Sequence, residues 1–167
     1  MIFEKIDELK TYLDSLKAKV TYGYSGIDVI ATSGGFDPLH VGHVRCIRAS
    51  KRIVHGKSIL VVIVNGDGFL ERKKGYNFMS LQERMEIIDA IKEVDYVTAW
   101  DDGSQTVIGA IKKLKPNYFT KGGDRTSESN VPESDICNKI ECKVIFNVGG
   151  EKIQSSSYLV NKNKNVK

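Results

Sequence analysis

A chain of 167 residues, 41% hydrophobic and 28% charged, is long enough to bury the core of one globular domain and has an ordinary balance for a water-exposed fold. No apolar run reaches the ~20 residues of a membrane-spanning helix, and the opening Met1-Ile2-Phe3-Glu4-Lys5-Ile6-Asp7 has acids where a secretory signal is basic and then apolar. The net charge of +4 and pI near 8.9, without a basic stripe interleaved with aromatics, argue against a nucleic-acid partner. Cys46, Cys137 and Cys142 form no CxxC pair, which fits free thiols in a reducing cytoplasm.

Ile2, Phe3, Ile6, Leu9, Leu13 and Leu16 recur at helical spacing, which predicts an amphipathic helix of about four turns. It packs on the domain or joins subunits. Tyr22-Gly23-Tyr24-Ser25-Gly26 is a turn-rich link, and residues 27–31 read as a buried strand. Then comes Thr32-Ser33-Gly34-Gly35-Phe36-Asp37-Pro38-Leu39-His40-Val41-Gly42-His43, followed by a periodic segment, 44–54, that reads as a helix. The order strand, glycine turn, helix has a phosphate-binding logic. Gly34 and Gly35 let a ligand approach the backbone. A helix start offers N–H groups and the positive end of the dipole. His40 and His43, three residues apart, share one face of a first turn and can donate hydrogen bonds to phosphate oxygens. Two histidines could also hold a metal, but the third ligand of a zinc site is missing nearby.

Gly35-Phe36-Asp37-Pro38-Leu39-His40-Val41-Gly42-His43 resembles the signature of the cytidylyltransferase-like nucleotidyltransferases. The resemblance extends over residues 27–160. In that superfamily a phosphorylated acceptor attacks the α-phosphate of a nucleoside triphosphate and pyrophosphate leaves. The attacking phosphate monoester is mostly dianionic at neutral pH, with a second pKa of about 6, so positioning and charge neutralisation suffice. His40 and His43 would then contact the β- and α-phosphates. Ser33, Gly34, Gly35, Phe36 and Gly42 would border the nucleotide, with backbone donors at Gly34, Gly35 and Phe36. Asp37 would orient the turn or a metal-bound water.

Residues 57–65 read as a strand buried on both faces, ending in Asn65-Gly66-Asp67-Gly68 at the carboxyl edge of a sheet, where ligands of open α/β folds sit. Glu71-Arg72-Lys73-Lys74 reads as a charged loop, and the resemblance gives one of its lysines, Lys74 in preference to Lys73, to the triphosphate. Ser80 and Glu83 form a capping box for a helix with Leu81, Met85, Ile88 and Ile91 as its buried stripe. Arg84 in that helix matches a phosphate-binding arginine of the family. Residues 96–100 are a third strand, and Ser104 caps a helix running to Leu114 before Pro116. After the short strand 118–120, Lys121-Gly122-Gly123-Asp124 resembles the turn of the heptose 1-phosphate adenylyltransferase domain, and less closely that of the glycerol-phosphate cytidylyltransferases. It would border base and ribose. A helix over 132–140 and a strand over 142–147 lead to Gln154-Ser155-Ser156-Ser157, where the family carries Ser-Thr-Thr on the nucleotide phosphates. Helix capping by the serines is the plainer reading.

The expectation is therefore an α/β fold: a Rossmann-like, doubly wound parallel five-stranded sheet with an extra N-terminal helix. Residues 1–26 form the helix and linker, 27–160 the nucleotidyltransferase domain, and 161–167 a fraying tail. The implied partners are ATP or CTP and a small phosphorylated acceptor: a sugar phosphate, polyol phosphate or phosphoamine. Mg²⁺ would be carried mainly by the triphosphate. Related enzymes are often dimers, so a homodimer is an expectation of the resemblance. The alternative is a non-catalytic nucleotide-binding or sensing module.

Overall fold

The computed structural model describes residues 1–19, 26–123, 127 and 131–164. Among these it holds six parallel strands, β1 (Ile2–Phe3), β2 (Asp28–Gly34), β3 (Ser58–Asn65), β4 (Tyr96–Trp100), β5 (Tyr118–Gly123) and β6 (Lys143–Glu151). Seven helices accompany them: α1 (Ile6–Lys19), α2 (Val41–Lys51), α3 (Asp67–Lys74), α4 (Leu81–Asp89), α5 (Ile108–Leu114), α6 (Ser134–Lys139) and α7 (Ser156–Lys164). The sheet order is β1-β4-β3-β2-β5-β6. The connection from β2 runs to β3 on one side and that from β5 to β6 on the other, so the crevice between β2 and β5 is the switch point at which doubly wound folds bind ligands.

Alternation along β3 shows why the sheet is covered on both faces. Val61 and Ile63 join one core with Leu9 and Leu13 of α1, Ile111 of α5 and Cys137 of α6. Leu60, Val62 and Val64 join the other with Ile47 of α2 and Met85 and Ile88 of α4. A strand with period 2 and both faces buried must be apolar throughout.

The sheet has six strands, not five. Ile2 and Phe3, read as the start of the first helix, pair with Val97 and Thr98 of β4. Phe3 closes an aromatic group with Tyr12 and Tyr96, ring centroids 5.4 and 5.8 Å away. An exposed β4 edge rewards two more apolar residues with ladder hydrogen bonds, a gain that local periodicity does not register. Helix α1 follows, and Ile6, Leu9 and Leu13 bury against the domain.

Other boundaries moved for local reasons. Residues 71–74 are helical, not a loop: Phe69 and Leu70 bury in α3, and Gly75 ends it in the left-handed region at φ 81°. The Ser104 hydroxyl bonds the Asp102 carboxylate and the Thr106 carbonyl, so the helix expected from Ser104 begins only at Ile108. Helix α7 reaches Lys164 and enters the expected tail. The link at 22–25 lies outside the described residues. No described helix is long and apolar enough to cross a membrane.

Candidate active site

The carboxyl edge of the sheet opens into a cleft of about 780 Å³. Of the residues expected at the site, Ser33, Gly34, Gly35, Phe36, Asp37, His40, Gly42, His43, Lys74, Lys121, Gly122, Gly123, Ser155, Ser156 and Ser157 line it. Asp124 lies outside the described residues. Arg84 does not line the cleft.

His40 is the N-cap of α2. Its Nδ1 accepts the Gly42 N–H at 3.1 Å, and the His43 Nδ1 accepts the His40 N–H at 3.3 Å, a capping box built from two imidazoles. The rings stack at 3.7 Å between centroids. Both Nδ1 atoms are acceptors, so each neutral ring carries its proton on Nε2. Burial, with His40 and Lys74 adding, pushes the His43 pKa down to about 3. Burial, then Lys152, lowers that of His40. The pair is therefore two neutral N–H donors at pH 7.

This geometry corrects one local expectation. Three amides at the start of α2 are already taken: the His43 and Val44 N–H groups go to the His40 carbonyl and Gly42 to its ring. The imidazoles take over as donors. Packing also requires bare positions at the two glycines, since a Cβ on Gly35 would stand 2.7 Å from Leu70 Cδ2 and one on Gly34 3.0 Å from the Phe36 ring. Phe36 itself has φ 52° and sets its ring edge-on to His43 at 5.1 Å.

Asp37 is fully buried. Its carboxylate accepts the Phe78 and Met79 N–H groups at 2.8 and 2.7 Å and meets Lys74 Nζ at 3.3 Å. It orients the turn, one of the two roles expected of it. Lys74 Nζ also lies 5.2 Å from the Tyr76 ring centroid.

Arg84 is a correction. It is 0% exposed, and its guanidinium donates to the Met79, Gly35 and Asn65 carbonyls and the Asp67 carboxylate at 3.1, 2.8, 2.6 and 2.6 Å. It ties α4 to the ends of β2 and β3 behind the cleft instead of reaching a phosphate. A helix position reads as exposed from sequence unless the acceptors that surround it are known.

Lys121 Nζ donates to Ser33 Oγ at 3.3 Å and lies 3.4 Å from Glu133 Oε2, so β5 is tied to β2 across the switch point. A Cβ on Gly123 would stand 2.1 Å from the Gly150 carbonyl oxygen, which keeps this end of β5 bare against β6. Ser155 caps α7, its Oγ accepting the Tyr158 N–H at 3.2 Å, while Ser156 Oγ donates to the Pro38 carbonyl at 2.9 Å. The capping reading holds for Ser155, and Ser156 fastens α7 to the signature loop.

Sequence reasoning missed Gln105, Glu133 and Lys152, which also line the cleft. Lys152 had a signal, standing between Gly149-Gly150 and the serine cluster. Glu133 had none, since only the fold brings α6 to β5. Lys73, Lys74, Lys121 and Lys152 line the cleft together with Asp37, Glu133 and Glu151, and Lys74 and Lys121 are ion-paired with Asp37 and Glu133. Burial pushes the Cys46 thiol up, so it is no nucleophile at neutral pH. No group of three or more His, Cys, Asp or Glu among the described residues could hold a metal ion. With Asp37 committed to Phe78, Met79 and Lys74, these residues do not fit a resident cation.

The sequence profile of the cytidylyltransferase-like family matches residues 31–159. The bifunctional protein HldE of Syntrophotalea carbinolica is 38% identical over 108 residues, 64% of this chain and 21% of that protein. HldE of Aliarcobacter butzleri is 28% identical over 164 residues, 97% of this chain and 31% of that protein. The chain thus spans only between 21% and 31% of the length of these relatives. The lipopolysaccharide core biosynthesis protein of Thermoplasma volcanium GSS1 superposes with a TM-score of 0.60 at 22% identity, over 75% of this chain and 98% of that one, a likeness of fold. The profile match covers the paired imidazoles, Lys74 and the serines that open α7, which meet in the cleft, and on that ground the chain belongs to the cytidylyltransferase-like family.

Proposed function

We propose that this chain joins the nucleotidyl group of ATP to a sugar 1-phosphate and releases pyrophosphate. The observation that carries the reading is the pair of neutral imidazoles, proton on Nε2, stacked at the mouth of α2 beside Lys74 and Lys152. The likeness of Lys121-Gly122-Gly123 to the heptose 1-phosphate adenylyltransferase turn, and the HldE relatives, support ATP and a sugar phosphate over CTP and a polyol phosphate or phosphoamine.

The acceptor phosphate attacks the α-phosphorus, a P–O bond forms, and the bond to the pyrophosphate oxygen breaks. Negative charge builds on the equatorial oxygens and on the leaving pyrophosphate. The Nε2–H groups of His40 and His43 donate to those oxygens without giving up their protons. Lys74 neutralises the leaving group, and the α7 serines hold the triphosphate. No side chain needs to take a proton, because the nucleophile is already an anion. Mg²⁺ enters as the counter-ion of the triphosphate, which is substrate rather than a resident group.

The test is pyrophosphate release with each of the four nucleoside triphosphates across a panel of sugar 1-phosphates, polyol phosphates and phosphoamines. ATP with a sugar 1-phosphate should exceed every other pair. Tight triphosphate binding with no release on any acceptor would favour a sensing module instead.

A further inference from the structure

Phe36 stands in the left-handed backbone region, at φ 52°. A bulky residue is strained there, and strain of this kind collects at functional sites. Its ring is 5% exposed and joins the core that holds Ile47 of α2, Val64 of β3 and Met85 of α4. Gly34 leaves the room: a Cβ there would stand 3.0, 3.2 and 3.3 Å from three carbons of the ring. A strained backbone and a bare neighbour thus put one aromatic ring in one place.

What the ring meets there is His43. The two centroids are 5.1 Å apart and the planes lie at 73°, an edge-to-face pair. His40 covers His43 as a stacked ring, 3.7 Å away with the planes at 21°. The hydrogen bond from the His40 N–H to His43 Nδ1 is 3.3 Å long. That lies beyond the usual N–H range of about 2.7–3.2 Å. Such a bond selects the tautomer but holds the angle of the ring poorly. Packing must set the direction of Nε2, with Phe36 as one wall and His40 as the other. Lys74 and His40 are the titratable groups that act on the His43 ring, and both oppose a charge on it.

We propose that the Phe36 side chain is a positioning residue, which clamps His43 against His40 so that the His43 Nε2–H points at the transferring phosphoryl group. The target of that N–H rests on the transferase reading above, whereas the clamp is a property of the free protein. A donor that swings out of line stabilises the charge of the transition state less, while the triphosphate is still held by other groups. The loss therefore falls on kcat rather than KM.

The experiment uses the whole chain with ¹⁵N-labelled histidine. It follows the His43 ring nitrogens from about pH 4 to 8, identified by comparison with His43→Gln, and then measures pyrophosphate release. In the wild type the ring should stay neutral with its proton on Nε2 throughout, since burial holds its pKa at about 3. Phe36→Leu keeps an apolar side chain and removes the wall. Its His43 nitrogens should move toward the average of the two tautomers, and the titration midpoint should climb by about one pH unit or more as water reaches the ring. Its kcat should fall about 10- to 100-fold, with the KM for ATP within about threefold of wild type. Gly34→Ala pushes on the same ring, should shift the same signals, and serves if the leucine variant does not fold. Met85→Ala removes volume from the same core at α4 and should leave the His43 spectrum as in the wild type. Wild-type spectra in both Phe36→Leu and Gly34→Ala, or the same changes in Met85→Ala, overturn the proposal. So does an altered spectrum with the wild-type kcat. If the wild type releases no pyrophosphate with any pair of substrates, the transferase reading falls and the spectra alone decide the clamp.

Discussion

Lys74 and Asp37 meet twice: the Lys74 ammonium lies 3.0 Å from the Asp37 carbonyl oxygen and 3.3 Å from its carboxylate. The same carboxylate pins the Phe78 and Met79 N–H groups. One buried acid therefore aims the cleft lysine and fixes the segment between α3 and α4.

The two residues should separate when mutated. Asp37→Asn keeps one acceptor for two amides and turns an NH₂ toward the other. Its unfolding free energy should fall by about 2–4 kcal/mol, and its Tm by about 5–15 °C. Lys74→Met should lower stability by about 1–3 kcal/mol, because it leaves the fully buried Asp37 carboxylate with only its two amide donors. Its kcat/KM should drop about 100-fold, as for a lost charge-stabilising donor. Thermal unfolding and steady-state kinetics on both variants check this, and a folded Lys74→Met variant with unchanged kcat/KM would contradict it.

His43→Ala removes an Nε2–H donor and should lower kcat about 10²- to 10³-fold with the fold retained. Cys46→Ala, which alters a cleft-lining thiol of raised pKa, should leave turnover near the wild-type value. Single-turnover rates with circular dichroism as the folding control distinguish the cases. A loss of the same size for Cys46→Ala would undo the assignment.

The pH dependence has two parts. The folded protein holds the His43 pKa at about 3, below the ordinary 6.5. Between these values the unfolded chain binds a proton that the folded chain excludes. Stability from this residue is complete above 6.5 and is lost as pH falls toward 3, with a slope of at most about 1.4 kcal/mol per pH unit. Denaturant titrations from about pH 4 to 8 should show this slope in the wild type and a smaller one in His43→Gln. The reaction rate should instead follow the acceptor phosphate, with kcat/KM rising through about pH 6 and then level. An acid limb that disappears in His43→Gln would assign the titration to the ring.

Arg84→Met should lower stability by about 3–5 kcal/mol, because it leaves the Asp67 carboxylate and three carbonyls without their donor. Arg84→Lys should fall between that and wild type. Folded Arg84→Lys at low temperature should keep its substrate KM, since the guanidinium does not reach the cleft. A tenfold rise in KM with an unchanged Tm would return Arg84 to phosphate binding.

The sequence by itself determined the alternation of apolar strands and amphipathic helices, the Ser80–Glu83 capping box, and the loop from Gly34 to His43. These features are local. Strand burial, helix period and caps are fixed by residues within one or two turns of each other, so a linear reading captures them. The tertiary structure decided what depends on partners far along the chain. Ile2 and Phe3 became a strand because the edge of β4 lay open at Val97 and Thr98. Arg84 turned inward because the ends of β2 and β3 supply carbonyls where its helix passes, and Glu133 entered the cleft because α6 packs beside β5. Long-range pairing places one buried charge against another, and a buried charge must find its partner wherever the fold delivers it. That is why the signature could be read from the chain, while the strut behind it and the carboxylate across the cleft could not.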